Sequence, residues 1–219
     1  LSHLQRAATV FADHTAVVYR SHRSTYHQYH ARVSQLASAI ASIGVLPGDV
    51  VATLLPNITA QIEASFGVPA CGSVLNTINT RLVVGTLTYI FKHGEAKVVM
   101  VDSQFLVPVE AAIAALEGPT PQIIEVADAE AGYTASGRHL EYEQFIAKGD
   151  AGYTWIMPSD EWESLALNYT SGTTGRPKGV VYHHRGAYLM TMGTPVSWRM
   201  TLNPVLVAYS HPPPPTPPP

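Results

Sequence analysis

The chain has 219 residues, 46% hydrophobic and 13% charged, enough apolar material for a sizeable core, which excludes a chain disordered by composition. Thirteen Lys and Arg against sixteen Asp and Glu give a formal charge of -3, without the basic excess that nucleic-acid binding needs. No apolar run is long enough to span a bilayer, and Leu1-Ser2-His3-Leu4-Gln5-Arg6 lacks the basic start and apolar stretch of a secretion signal, so neither a membrane span nor secretion is expected.

From Tyr26 to Ile43 the apolar residues Tyr29, Val33, Leu36, Ile40 and Ile43 recur at steps of four and three, with Ser24 and Thr25 before them as caps and Gly44 after. This spacing predicts an amphipathic helix. His22, His27 and His30 fall before it or on its polar face and read as solvated side chains. Pro47-Gly48-Asp49 turns the chain into the apolar run Val50 to Leu55, stopped by Pro56, as a buried parallel strand would be. A second helix leads toward Cys71, with a bend expected near Pro69. Cys71, the single cysteine, lies among small apolar residues; it can form no internal disulfide and reads as a packing residue, not a catalytic thiol.

The rhythm repeats with helix over 87–92, strand over 98–101, helix over 109–116 and strand over 122–126. Such alternation predicts an α/β fold with a doubly wound sheet. Residues 128–163 are more polar and read as a surface excursion with one short helix around Tyr142 to Ala147 and no evident chemistry. Leu165 to Tyr169 then reads as another strand.

That strand feeds Tyr169-Thr170-Ser171-Gly172-Thr173-Thr174-Gly175-Arg176-Pro177-Lys178-Gly179, a hydroxyl- and glycine-rich loop between two apolar runs. Glycines at 172, 175 and 179 let backbone N–H groups approach an anion, the Thr and Ser hydroxyls add donors, and Lys178 adds a mobile positive charge. A bare Gly/Ser/Thr turn would share the composition, but it would not call for a lysine after four hydroxyl residues. The Walker pattern is not met, because Pro177 precedes Lys178, Gly179 follows it, and an apolar run comes next where a helix should open. His183-His184 has no Cys or carboxylate at ligand spacing and reads as the opening of a helix, so no metal site is expected.

The stretch Tyr169 to Gly179 resembles the phosphate-loop signature of the AMP-forming acyl-activating enzymes, a family that includes acyl-CoA synthetases, coumarate ligases, luciferases and peptide-synthetase adenylation domains. The continuation Val180 to Tyr188 is similar to plant-type ligases for short, medium or aromatic carboxylic acids. Leu46 to Val51, Pro56-Asn57 and Asn79-Thr80-Arg81-Leu82 also resemble the family in content and order, and the resemblance covers roughly residues 5–192.

The resemblance implies that residues 1–194 form the N-terminal part of the large AMP-binding domain, an incomplete, doubly wound mixed sheet flanked by helices. It implies a two-step reaction in which a fatty or aromatic carboxylate and Mg2+-ATP give an acyl-adenylate and pyrophosphate, after which the CoA thiol displaces AMP. Thr170, Ser171, Gly172, Thr173, Thr174, Gly175 and Lys178 would then cradle the β- and γ-phosphates, with Lys178 orienting phosphate. The family's catalytic lysine lies in a C-terminal domain that this chain lacks, so no catalytic residue is assigned within it, and the chain is expected to be inactive alone. A cytoplasmic or peroxisomal setting, not secretion, is expected from the absence of membrane and secretion features alone.

Residues 195–219 hold nine of the seventeen prolines and one charged residue, Arg199, and are expected to be a disordered or artefactual tail. The alternative is a non-catalytic truncated protein that acts through partner binding, with the tail as a polyproline ligand or the body paired with a full-length homologue.

Overall fold

The computed structural model describes residues 1–170 and 176–200. Two elements precede the first expected helix: α1 (Ser2–Val10) and the antiparallel hairpin of β1 (Thr15–Tyr19) and β2 (His22–Thr25). Thr25 then closes a capping box, its hydroxyl accepting from the Gln28 amide at 3.2 Å while Gln28 Oε1 accepts from the Thr25 amide at 2.9 Å. Helix α2 (Tyr26–Ser42) starts there and buries Tyr29, Val33, Leu36 and Ile40, the stripe its spacing predicts.

The α/β alternation follows: β3 (Val50–Leu54), α3 (Thr59–Ala70), β4 (Val74–Thr77), α4 (Val84–His93), β5 (Ala96–Asp102), α5 (Leu106–Ala114) and β6 (Gln122–Val126). Pro69 falls in the last turn of α3, where its missing N–H leaves most of the helix undisturbed. The chain continues through β7 (Leu140–Glu141), α6 (Tyr142–Ile146), β8 (Ser164–Thr170), β9 (Lys178–His183) and α7 (His184–Ser197).

The main sheet runs β7-β6-β5-β3-β4-β8-β9. From β3 the chain builds β4 on one side, then crosses back to build β5 and β6 on the other, so the sheet is doubly wound. Every pairing is parallel except β8 with β9, which makes the sheet mixed. Strand residues alternate between two cores. Val51, Val98 and Met100 face α2, α3 and α6, while Ala52, Leu54, Val99 and Val101 face α4 and α5. Helices α2 and α3 approach closely because Gly67 has no side chain; a Cβ there would lie 2.7 Å from Leu36 Cδ2. Cys71 is buried in the first of these cores, and burial pushes its thiol up from the ordinary range, which suits packing.

Residues 128–163 are a surface excursion only in part: most are exposed and the expected short helix is α6, but four large side chains turn inward. Tyr142, Phe145, Ile146 and Trp155 are buried in the core beside α2, and Trp155 Nε1 donates to Ser34 Oγ at 2.8 Å, which satisfies two polar groups that burial would otherwise strand. His30 stacks on Trp155 with ring centroids 4.6 Å apart, half-buried instead of solvated, and burial first, then the His27 charge, lowers its pKa. His22 and His27 are exposed as expected.

A buried ion pair ties this segment down. Arg32 reaches Glu63, whose side chain is 1% exposed, and also Glu143 at 2.7 and 3.0 Å. The Tyr142 hydroxyl donates to Glu63 Oε2 at 2.6 Å. Burial, then the charge of Glu63, raises the Tyr142 pKa well above the ordinary phenol range, so this phenol remains a donor. Among the described residues no helix is long and apolar enough to cross a membrane.

Candidate functional site: the mouth of the β8–β9 hairpin

Strands β8 and β9 pair in antiparallel register, Thr170 opposite Lys178, Tyr169 opposite Gly179, Asn168 opposite Val180 and Leu167 opposite Val181. Directly opposed residues of such a pair project on the same face. Thr170 and Lys178 therefore share one face at the loop end of the hairpin, both exposed, and present a hydroxyl and an ammonium on that face. Ser171, Gly172, Thr173, Thr174 and Gly175, the other expected phosphate-loop residues, lie outside the described residues.

Tyr169 belongs to the opposite face, toward α4. Its hydroxyl shares a 2.8 Å hydrogen bond with His93 Nδ1, and its ring meets Tyr89 edge-on at 6.4 Å. Burial, then the neighbouring Tyr89, pushes this phenol up to about 12, so it stays protonated at neutral pH. Gly179 has a packing reason to be glycine in addition to any role toward an anion: a Cβ there would stand 3.0 Å from Leu167 Cδ1 and 3.5 Å from Tyr169 Cε1. The exposed Arg176 lays its guanidinium over the Tyr89 ring at 5.9 Å.

At the far end of β9, His183 caps α7 as expected, its Nδ1 accepting from the Gly186 amide at 3.0 Å. His184 is half-buried, and burial first, then the chain's amino terminus, lowers its pKa. Among the described residues no group of three or more His, Cys, Asp or Glu side chains could hold a metal ion. A mostly apolar cavity of about 510 Å³ lies at the opposite end of β8 from Thr170 and Lys178, bordered by Leu1, Phe66, Pro69, Leu165 and Tyr188. Its lining also carries Ser2, His3, His184 and Arg185, but no glycine- and hydroxyl-rich loop borders it.

A sequence profile of AMP-binding enzymes matches residues 4–212. The chain belongs to the AMP-binding enzyme family. The match extends beyond residue 192, the limit of the resemblance read from motifs. The chain is 42% identical over 208 residues to the peroxisomal acetate/butyrate–CoA ligase of Arabidopsis thaliana, covering 90% of this chain and 37% of that protein. It is 40% identical to the 2-methylpropanoate–CoA ligase of Humulus lupulus, covering 94% of this chain and 38% of the relative. The fold matches the crystal structure of an anthranilate CoA ligase in complex with anthranoyl-AMP with a TM-score of 0.79 and 26% identity, over 86% of this chain and 35% of the other. This member of the AMP-binding family thus spans little more than a third of the length of the curated relatives it matches.

Tyr89 and His93 are the site neighbours that motif reading missed. Their spacing of four along α4 puts both rings on one helix face, a signal available in the sequence. Nothing in the sequence ties that face to Tyr169.

Proposed function

We propose that this chain is the phosphate-holding part of an ATP-dependent acid–CoA ligase. The observation that carries the reading is the exposed Thr170–Lys178 pair at the mouth of an antiparallel hairpin, in a member of the AMP-binding family. In the reaction a carboxylate oxygen bonds to the α-phosphorus of Mg2+-ATP, the bond from that phosphorus to the β-bridging oxygen breaks, and pyrophosphate leaves. The CoA thiol, losing its proton, then bonds to the acyl carbon, and AMP departs.

Thr170, Ser171, Gly172, Thr173, Thr174, Gly175 and Lys178 hold the β- and γ-phosphates and follow the leaving pyrophosphate, so that their charge and N–H groups act where negative charge accumulates. No described residue is assigned the part of the family's catalytic lysine, and the 219-residue chain alone forms no acyl-adenylate. The acid is aliphatic or aromatic, a range that the names of the relatives support, and the setting is peroxisomal or cytoplasmic.

A chimera tests this, with residues 4–212 replacing the matching segment of the Arabidopsis ligase. With butyrate, Mg2+-ATP and CoA it should form butyryl-CoA, AMP and pyrophosphate. Lys178→Met in the chimera should lower kcat/KM for ATP about 10- to 100-fold, the range for losing a hydrogen bond to a charged group. A folded chimera without activity, or one indifferent to Lys178→Met, refutes the reading.

One observation favours a second reading, a non-catalytic product that works by pairing. Helix α7 buries none of its residues, and Leu189, Met190, Val196 and Trp198 are all more than half exposed. Sedimentation of the chain mixed with the Arabidopsis ligase separates the two readings: a complex heavier than either component supports pairing, and two independent species remove it.

A further inference from the structure

The two described ends of the loop both reach α4, and they reach residues four apart on it. Tyr169, just before Thr170, bonds His93 at 2.8 Å, and Arg176, two residues before Lys178, lies over Tyr89. Tyr89 and His93 in turn stack on each other, with centroids 5.2 Å apart. Helix α4 is a firm base for this, because Leu87, Ile90 and Phe91 are buried in the second core.

Glycine keeps the Tyr169 hydroxyl clear: a Cβ on Gly94 would stand 3.2 Å from it, while one on Gly179 would crowd Leu167 at 3.0 Å and only touch the Tyr169 ring at 3.5 Å. His93 and Arg176 are exposed, while Tyr89 and Tyr169 are half-buried and pack on the edge of the second core. Their effect falls on the hairpin mouth, whose other face carries Thr170 and Lys178.

We infer that Tyr89 and His93 are positioning residues that fix the entry and exit of the phosphate-binding loop, and so set the distance at which Thr170 and Lys178 meet a pyrophosphate group. The inference rests on the reading of the hairpin mouth as a phosphate site.

The test is calorimetric titration of the 219-residue chain with inorganic pyrophosphate and Mg2+. His93→Leu and Tyr169→Phe should each weaken binding about fivefold, the factor one neutral hydrogen bond supports, with the pair together no worse than either alone. His93→Asn, which keeps a hydrogen-bonding group near the Nδ1 position, should recover most of the loss. Far-UV circular dichroism should match the parent chain throughout, because the buried face of α4 is untouched.

Unchanged affinity in His93→Leu, or losses that multiply in the double variant, overturns the inference while leaving the phosphate site standing. A parent chain that binds no pyrophosphate and is indistinguishable from Lys178→Met overturns the phosphate reading, and the positioning role falls with it.

Discussion

Replacing Arg32 with Met should cost the fold about 3–5 kcal/mol, the usual consequence of leaving a buried charge without its partner. Glu63 keeps only 1% of its side chain exposed, and its oxygens take Arg32 Nη2 at 3.1 Å, Arg32 Nε, and the Tyr142 hydroxyl at 2.6 Å. Without the guanidinium, one phenol donor remains to face a desolvated carboxylate. Glu143 accepts from the same Arg32 but is 61% exposed, so Glu143→Gln should cost no more than about 1 kcal/mol. The double variant Arg32→Met with Glu63→Leu, which removes both charges, should regain most of the loss. Urea unfolding at pH 7 measures all three, read at matched m-values by circular dichroism. Equal losses for Arg32→Met and Glu143→Gln, or a double variant no better than Arg32→Met, would refute the assignment of this cost to burial of Glu63.

Gly149, just after α6, lies against the backbone of α2: a Cβ there would stand 2.0 Å from the Gln35 carbonyl oxygen and 2.7 Å from its carbon. Gly149→Ala should therefore destabilise by at least the ~1–3 kcal/mol typical of overpacking, visible as a fall in the urea midpoint; an unchanged midpoint contradicts the contact. Stability should also drop as pH falls from 7 to 5.5. His30 and His184 are held below the ordinary 6.5 chiefly by burial, so in that window the unfolded chain binds protons that the folded chain refuses. Stability is then full above about 6.5 and declines below it, and His30→Phe, which keeps a ring on Trp155, should flatten the slope; a slope unchanged by this variant removes His30 from the account.

The strands and helices of the doubly wound part were legible because their residues obey one period each. Val98 to Val101 is apolar on both sides, as a strand between two helix layers must be, and the helix from Tyr26 carries its stripe and its cap in the chain itself. Helix α1 and the β1–β2 hairpin left weak signals. Leu4 alone is buried in α1, Val17 alone in β1, and β2 reads His-Arg-Ser-Thr, because each element gives the core at most one buried apolar side chain. Residues 128–163 misled for a related reason. Their polar average hides Tyr142, Phe145 and Trp155, whose partners Glu63 and Ser34 lie 79 and 121 residues away. At the hairpin mouth the loop composition supplies the chemistry on which the proposed phosphate site rests. The contacts of Tyr169 and Arg176 with α4 depend on how β8 packs beside that helix, which no local spacing encodes.

The central claim, that the β8–β9 mouth holds the phosphates of ATP, is tested most directly by titrating Mg2+-ATP into the 15N-labelled 219-residue chain. The account predicts saturable shifts of the Thr170, Lys178 and Gly179 amides, lost in Lys178→Met while the remaining spectrum is unchanged. Saturable shifts confined to other parts of the chain, or no shifts at millimolar nucleotide, would contradict it.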